Sequence, residues 1–476
     1  MALIVTAVAN IYLMATGLEI NFFNSDVVQP YLMGLDISRN WHSIWTWYQA
    51  PSLYIFPDWI VAAQLSELPA TITQVIYGTI LVSLYAVGYS LCSQRAISTR
   101  AVTSFAVLYS GAAIFLQWLS PGGRGIWLMA YTFAPYMHTG AVAMTIVAIG
   151  LIRSNWDNPN FRSLSVLATL MFVVTLSDII LLAWLVPPFF VLLAVDYISS
   201  RKINRHRLAI AVIIPSFGAF VVDSVINSVR QAYMSAGTIS PAGSLRVFLG
   251  TLRDALHQYD PMLGCIFFSL IVGSFVATNK ILRSLSGNGI READVVLILI
   301  PGVMAASIVA PLVKGLFVYP DHLRYIIVAP VLSLVWFCLV FKSLKIDITI
   351  PSGILAVLIA FPAAAAYHGP DMRMISCLPG DTGFGDYWNS KRTLFLTKRK
   401  THIIQLNGDI RPMRFNYNSL WFLRHANDET QLQPTFIITT RLESDKLEAQ
   451  FGLPSSRKNC GGEEVWVYDK PLSVPQ

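Results

Sequence analysis

The chain has 476 residues, of which 54% are hydrophobic and only 13% charged, with a formal net charge of +7. That balance exceeds what a soluble chain of this length carries and places most of the protein in lipid. The positive charge reads as anchoring at the inner membrane face, so it calls for no nucleic-acid partner.

Apolar runs long enough to cross a hydrocarbon core of about 30 Å recur from the N-terminus to Ala366. The first covers residues 2–20 and is read as retained, since Met1 to Glu19 lacks a basic start and a small-residue cleavage site. A long loop, residues 21–72, follows it. This loop is chemically dense: Asn24-Ser25-Asp26, then Asp36, then Trp41, His42, Trp45, Trp47 and Tyr48, then Phe56-Pro57-Asp58-Trp59. Tryptophan and tyrosine favour the lipid–water interface, which accounts for several of the aromatics as a helix on the bilayer surface. It does not account for Asp26 and Asp58. Two carboxylates among aromatics can act as general base and partner, because partial desolvation raises a carboxyl pKa towards the working range; Trp59 stands beside them as a weak sugar-contacting candidate.

Further spans are expected at 73–93, 101–118, 128–151, 164–177, 179–198, 208–224, 260–279, 293–313, 323–341 and 348–367, about eleven in all. The stretch 164–198 is one apolar run that must turn back near Ser177-Asp178, because basic residues flank both of its ends. Basic clusters mark every second gap: Arg95 and Arg100, Arg153 and Arg162, Arg201 to Arg207, Lys280 to Arg291, Lys342 and Lys345. By the positive-inside rule those gaps and the N-terminus are cytoplasmic, and the odd number of spans puts the tail outside. In a bacterium this is an inner-membrane protein with a periplasmic tail. On the same outer face the reading places Arg124 within Pro121-Gly122-Gly123-Arg124-Gly125, His138 in the fourth span, Asp178 in the hairpin turn, and Lys314, Asp321, His322 and Arg324 around the start of the tenth. Ionisable groups at a membrane edge are functional candidates. Asp321 and Arg324 have the spacing of an ion pair on one helical face, whereas a planar guanidinium also suits a phosphate.

The domain at 1–367 is thus a polytopic α-helical membrane unit, and 368–476 reads as a small C-terminal external α/β domain. Strand-like runs at Thr401 to Leu406, Thr435 to Thr440 and Val465 to Tyr468 accompany a helix at Glu443 to Phe451. Gly383 to Asn389 puts Tyr387 and Trp388 beside hydrogen-bonding groups, a composition that suits either a sugar ring or a domain-packing turn. Cys377 and Cys460 are the two cysteines of the tail, where an oxidising compartment would permit a disulfide. No GxxxxGK[ST], CxxC or HExxH motif occurs, so a nucleotide-driven pump or a zinc hydrolase has no support.

A short first span, Asn24-Ser25-Asp26 just after it in a long first external loop, many further spans and a C-terminal external domain together resemble the GT-C class of integral membrane glycosyltransferases. The resemblance implies a sugar donor carried on polyprenyl phosphate, a glycan or lipid acceptor, and Asp26 as the base or metal-associated carboxylate. The chain departs from better-marked branches, because Val27-Val28 follows Asp26 and no acidic pair stands in the second external loop. A divalent metal (Mg or Mn) is therefore left open. The oligosaccharyltransferase signature WWD is absent. The expectation is an inverting transfer in which Asp26 deprotonates the acceptor and Arg324 holds the carrier phosphate. A multi-spanning transporter, or another membrane transferase such as a glycan polymerase, ligase or acyltransferase, stands as the alternative.

Overall fold

The computed structural model describes residues 1–48, 52–94, 96–121, 123–200, 205–229, 238–343 and 349–475. Among them eight helices are long and apolar enough to cross a membrane: Ala2–Phe23, Ala70–Gln94, Thr99–Leu119, Ile180–Ser200, His206–Ser228, Pro261–Ser286, Glu292–Val313 and His322–Lys342. Each lies on an expected span, and the protein is a helical membrane protein. Apolar helices of 16 or 17 residues, Thr139–Ser154, Phe161–Ser177 and Thr349–Ala365, overlap the other three expected spans, the first of them only in part. Large apolar side chains point outward from the peripheral helices, including Ile214, Phe217 and Val221 on one and Phe268, Ile271 and Phe275 on another. Lipid tolerates such a surface and water does not. Small residues let the central helices close up: a Cβ on Gly88 would lie 2.7 Å from Ile146 Cγ2 of the Thr139–Ser154 helix.

Two breaks shape the bundle. The expected fourth span, 128–151, is not continuous. One helix, Arg124–Tyr131, stops and another starts at Thr139. Pro135 lacks an N–H and restricts the residue before it, and His138 takes a left-handed conformation with φ of 73°. The second break was expected: the Phe161–Ser177 helix ends at an extended Asp178, and the chain turns back into Ile180–Ser200. A helix that the hydropathy pattern does not reveal, Pro241–His257, begins with a Ser240 cap and proline at its first position.

The first loop folds into the Ser25–Arg39 helix, a 3-10 turn Trp41–Trp45, a short strand β1 (Trp47–Tyr48) and the segments Ile55–Trp59 and Ile60–Leu65. Trp41 and Trp45 are well exposed, while Trp47 and Trp59 are buried. In the tail, β2 (Thr382–Gly385), β3 (His402–Gln405), β5 (Phe436–Ile438), β6 (Ser456–Cys460) and β7 (Glu463–Val467) form one sheet in the order β3-β2-β5-β7-β6, and β4 (Tyr417–Asn418) stands apart from it. The pairs of β2 with β3 and β5 are parallel, and those of β7 with β5 and β6 antiparallel. The expected strands and helix match β3, β5, β7 and Ser444–Phe451. Polar β6 escapes the pattern because it is a solvent-facing edge strand, with charged Arg457 and Lys458. Cys377 and Cys460 are joined by a disulfide.

β4 pairs with β1 of the first loop, Trp47 opposite Asn418 and Tyr48 opposite Tyr417. Beside this two-stranded ribbon the buried carboxylate of Asp36 meets the buried Arg399 guanidinium at 2.7 Å. Trp47 Nε1 and Asn418 Nδ2 donate to the other Asp36 oxygen at 3.0 and 2.8 Å. Loop and tail are therefore one packed unit at one end of the bundle.

Candidate functional site

Asn24 caps the Ser25–Arg39 helix by accepting from the backbone N–H groups of Asp26 and Val27, each at 3.1 Å. This fixes Asp26 in the first helical turn, where the positive end of the helix dipole favours a carboxylate. Its side chain is buried, and two groups from distant segments reach it. The Tyr387 hydroxyl donates to Oδ1, and Arg324 Nη1 lies 3.7 Å from Oδ2. Arg324, carried on the 3-10 turn Pro320–Ile326, also donates to the Tyr136 hydroxyl at 3.5 Å. Both of these arginine contacts are long, which leaves its fork of donors loosely held.

Tyr387 is positioned from the tail. Asp386 caps the Tyr387–Leu396 helix through the Asn389 N–H at 3.0 Å, and Ser25 Oγ donates to the carbonyls of Tyr387 and Trp388. Burial, followed by the Asp26 carboxylate, pushes the phenol well above its ordinary range, so it stays a proton donor. Beneath its ring, 3.6 Å from the centroid, lies Lys391 Nζ, which also donates to the Asn416 carbonyl at 3.1 Å. Burial holds this amine well below the usual lysine range, with Asp26 opposing the shift.

Asp26 borders a narrow, tightly closed cleft whose walls include Gln29, Tyr54, Asp58, Pro135, Tyr136 and Met137. Asp58 comes from the first loop. Tyr77 donates to its Oδ1, the Gly140 N–H donates to the carboxyl as well, and Gly140 is where it is because a Cβ would lie 2.7 Å from Asp58 Oδ2. Burial pushes Asp58 up to about 7 against those hydrogen bonds, with Asp178 adding a smaller rise. Along the cleft edge His138 Nδ1 meets Asp178 Oδ2 at 2.6 Å. Asp178 is itself held by Ser52 Oγ at 3.3 Å and the Ile180 N–H at 3.2 Å, so the histidine is a partnered one, with the Tyr54 ring 5.5 Å away.

The structure thus brings Asp26, Asp58, Arg324 and Tyr387 together, with His138 and Asp178 as a pair beside them. Other expected residues lie elsewhere. Trp59 is buried, with no hydrogen-bond partner for its indole N–H among the described residues. Trp388 is half-buried, with the Arg441 guanidinium 5.7 Å from its ring centroid. Lys314 is exposed at the end of Glu292–Val313, and Arg124 opens the Arg124–Tyr131 helix; neither lines the cleft. Asp321 lies on the same turn as Arg324, its side chain outside the described residues. Arg324 pairs with Asp26. Tyr136 and Tyr77 were not foreseen. Pro135 inside an expected span was the available signal for the first, since it forces the break that turns Tyr136 into the cleft. Tyr77 lies within an apolar span and carried no signal.

Among the described residues no three His, Cys, Asp or Glu side chains converge, and the positive charge next to Asp26 is that of Arg324. No family model, curated protein or solved structure matches the chain.

Proposed function

We propose that this protein is a membrane glycosyltransferase that moves a monosaccharide from a polyprenyl-phosphate carrier to a glycan or lipid acceptor, with inversion. The observation that carries the reading is the placement of Asp26: buried, at a cleft, between a phenol that aligns it and an arginine that holds it loosely. In this scheme an acceptor hydroxyl gives its proton to Asp26 as its oxygen forms the new bond to the anomeric carbon. The carrier phosphate leaves with the electrons of the bond that breaks. Arg324, at the head of the His322–Lys342 span, stabilises that charge at the depth where a lipid-linked phosphate rests. A phosphate drawn to Arg324 competes for the guanidinium with Asp26 and frees Oδ2 for the acceptor, so donor binding and base activation are coupled. Asp58, with its pKa near 7, is the second group able to hold a proton in the cleft. His138 and Asp178 shape its edge, and Trp388, half-buried beside Tyr387, is the candidate for contact with the acceptor. No step is routed through a metal.

The topology that goes with this reading has about eleven crossings, a cytoplasmic N-terminus and an external tail in a bacterial inner membrane, which agrees with the Cys377–Cys460 disulfide. The test is transfer of radiolabelled sugar from a panel of polyprenyl-phosphate monosaccharides by the purified protein in lipid. Transfer by the wild type that Asp26→Asn loses, with its fold intact, supports the reading and names the donor. Folded wild type that transfers from no donor favours a transporter or another transferase.

A further inference from the structure

The Pro241–His257 helix is pinned at both ends to the ends of two membrane helices. Its last residue stands just before Asp260, whose side chain caps the Pro261–Ser286 span through the N–H groups of Met262 and Leu263 at 3.1 and 3.0 Å. Just before its start, the Ile239 N–H donates at 3.0 Å to the carbonyl of Gly315, which follows the end of Glu292–Val313. Those two spans are consecutive and packed along each other, so Pro261 and Val313 lie at the same side of the membrane. A 17-residue helix strung between them, about 26 Å long, must run in the plane of the boundary.

Its side chains divide into three sectors. Ser244, Phe248, Thr251 and Ala255 are buried against the protein, with the Phe248 ring 4.9 Å from that of Phe317. At helical spacing, Leu245, Leu249 and Leu256 fall on an adjacent strip and are 44, 53 and 63% exposed. Beyond that strip come Arg246 and Arg253, with Asp254 paired to Arg253 at 3.3 Å on the outer edge. A water-facing helix has two sectors, and a leucine strip set between a protein face and a cationic edge fits a third medium.

We infer that Pro241–His257 is an interfacial helix that seats on phospholipid, its leucine strip among the acyl chains and Arg246 and Arg253 at headgroup phosphates. The assignment stands independently of the glycosyltransferase reading. Its consequence for the site runs through Phe248 and Phe317 to Tyr325, whose ring lies 6.2 Å from that of Phe317 and next in sequence to Arg324: the helix sets the depth at which Arg324 meets a membrane-bound phosphate.

The test is collision accessibility of single nitroxide labels at Leu249→Cys and Arg253→Cys in the full chain, with the native free cysteines replaced, reconstituted in phosphatidylcholine–phosphatidylglycerol vesicles. The expected result is a label at 249 reached by oxygen several-fold more than by a water-soluble nickel chelate, with the preference reversed at 253. A label at 249 that the nickel chelate reaches as freely as it does at 253 places the strip in water and overturns the assignment. A label at 249 that neither reagent reaches puts a protein surface over it and overturns it equally.

Discussion

Asp26 and Asp36 stand at opposite ends of the Ser25–Arg39 helix, both buried and both joined to an arginine and to the tail, yet their surroundings differ in one respect. Asp36 is saturated. Arg399 meets it at 2.7 Å, Trp47 and Asn418 fill its other oxygen, and Arg399 gives a further donor to the Leu32 carbonyl at 2.8 Å. Asp26 has one phenol, an arginine at 3.7 Å and a narrow cleft beside it. A buried charge with both oxygens held by short bonds is a fastener, because moving any partner leaves it underpaired. A buried charge with a loosely held partner at a cleft can exchange that partner for a ligand. One helix thus presents a structural end and a reactive end.

Breaking the structural end carries the largest expected effect. Asp36→Asn leaves the Arg399 guanidinium buried without its counter-charge, at a cost of ~3–5 kcal/mol. Thermal unfolding in detergent checks it: a midpoint close to wild type would remove Asp36 from its role in fastening loop to tail. At the reactive end the outcome inverts. Asp26→Asn keeps shape and leaves the unfolding midpoint near wild type, while sugar transfer falls ~10²–10⁴-fold, the range of a lost general base. A joint collapse of fold and transfer would make the two ends alike and undo the contrast.

The contrast was half legible in the sequence. Spans could be read because lipid enforces length and apolarity helix by helix, and the turn at Asp178 because an apolar run flanked by basic clusters has to fold back. Asp26 stood out through its position after the first span. Its partners did not, since Tyr387 lies 361 residues away and nothing local in Gly383 to Asn389 separates a ring that faces sugar from one that bonds a carboxylate. The structural role of Asp36 was not legible for the same reason: Arg399 and β4, which hold it, belong to the tail. The broken fourth span was signalled by Pro135, but the run around it is apolar enough to hide the break. Pro241–His257 escaped because a helix that shares its circumference among protein, lipid and water has no strong mean hydropathy.

Tyr387→Phe sharpens the contrast by removing, from the reactive end alone, the hydrogen bond to Asp26 and a long one accepted from Asn416 Nδ2 at 3.4 Å. Bonds to a charged group contribute ~1.5–3 kcal/mol, so turnover should fall ~10–100-fold while the buried ring, with Lys391 beneath it, keeps the fold. The split between kcat and KM decides its role. A fall in kcat with donor KM unchanged fits a phenol that aligns the base, whereas a rise in donor KM alone would make Tyr387 a binding residue.

The smallest expected effect belongs to Asp58, the other carboxylate of the cleft. Burial raises its pKa from 3.8 to about 7, so between those values the folded protein keeps a proton that the unfolded chain has released. By linkage its contribution to stability is fully present below about pH 4 and is lost as pH rises through about 7, amounting to ~1 kcal/mol between about pH 6 and about pH 7. Asp58→Asn, which cannot titrate, should flatten that slope in chemical denaturation run across the same range. Transfer by the wild type should rise over the interval if the ionised form is the one that accepts protons, and the variant should lack that rise. A wild-type stability that stays level from about pH 6 to about pH 7 would mean that Asp58 is already ionised there, and the cleft would then hold two charged carboxylates, for which the single guanidinium of Arg324 supplies too little compensation without a bound cation.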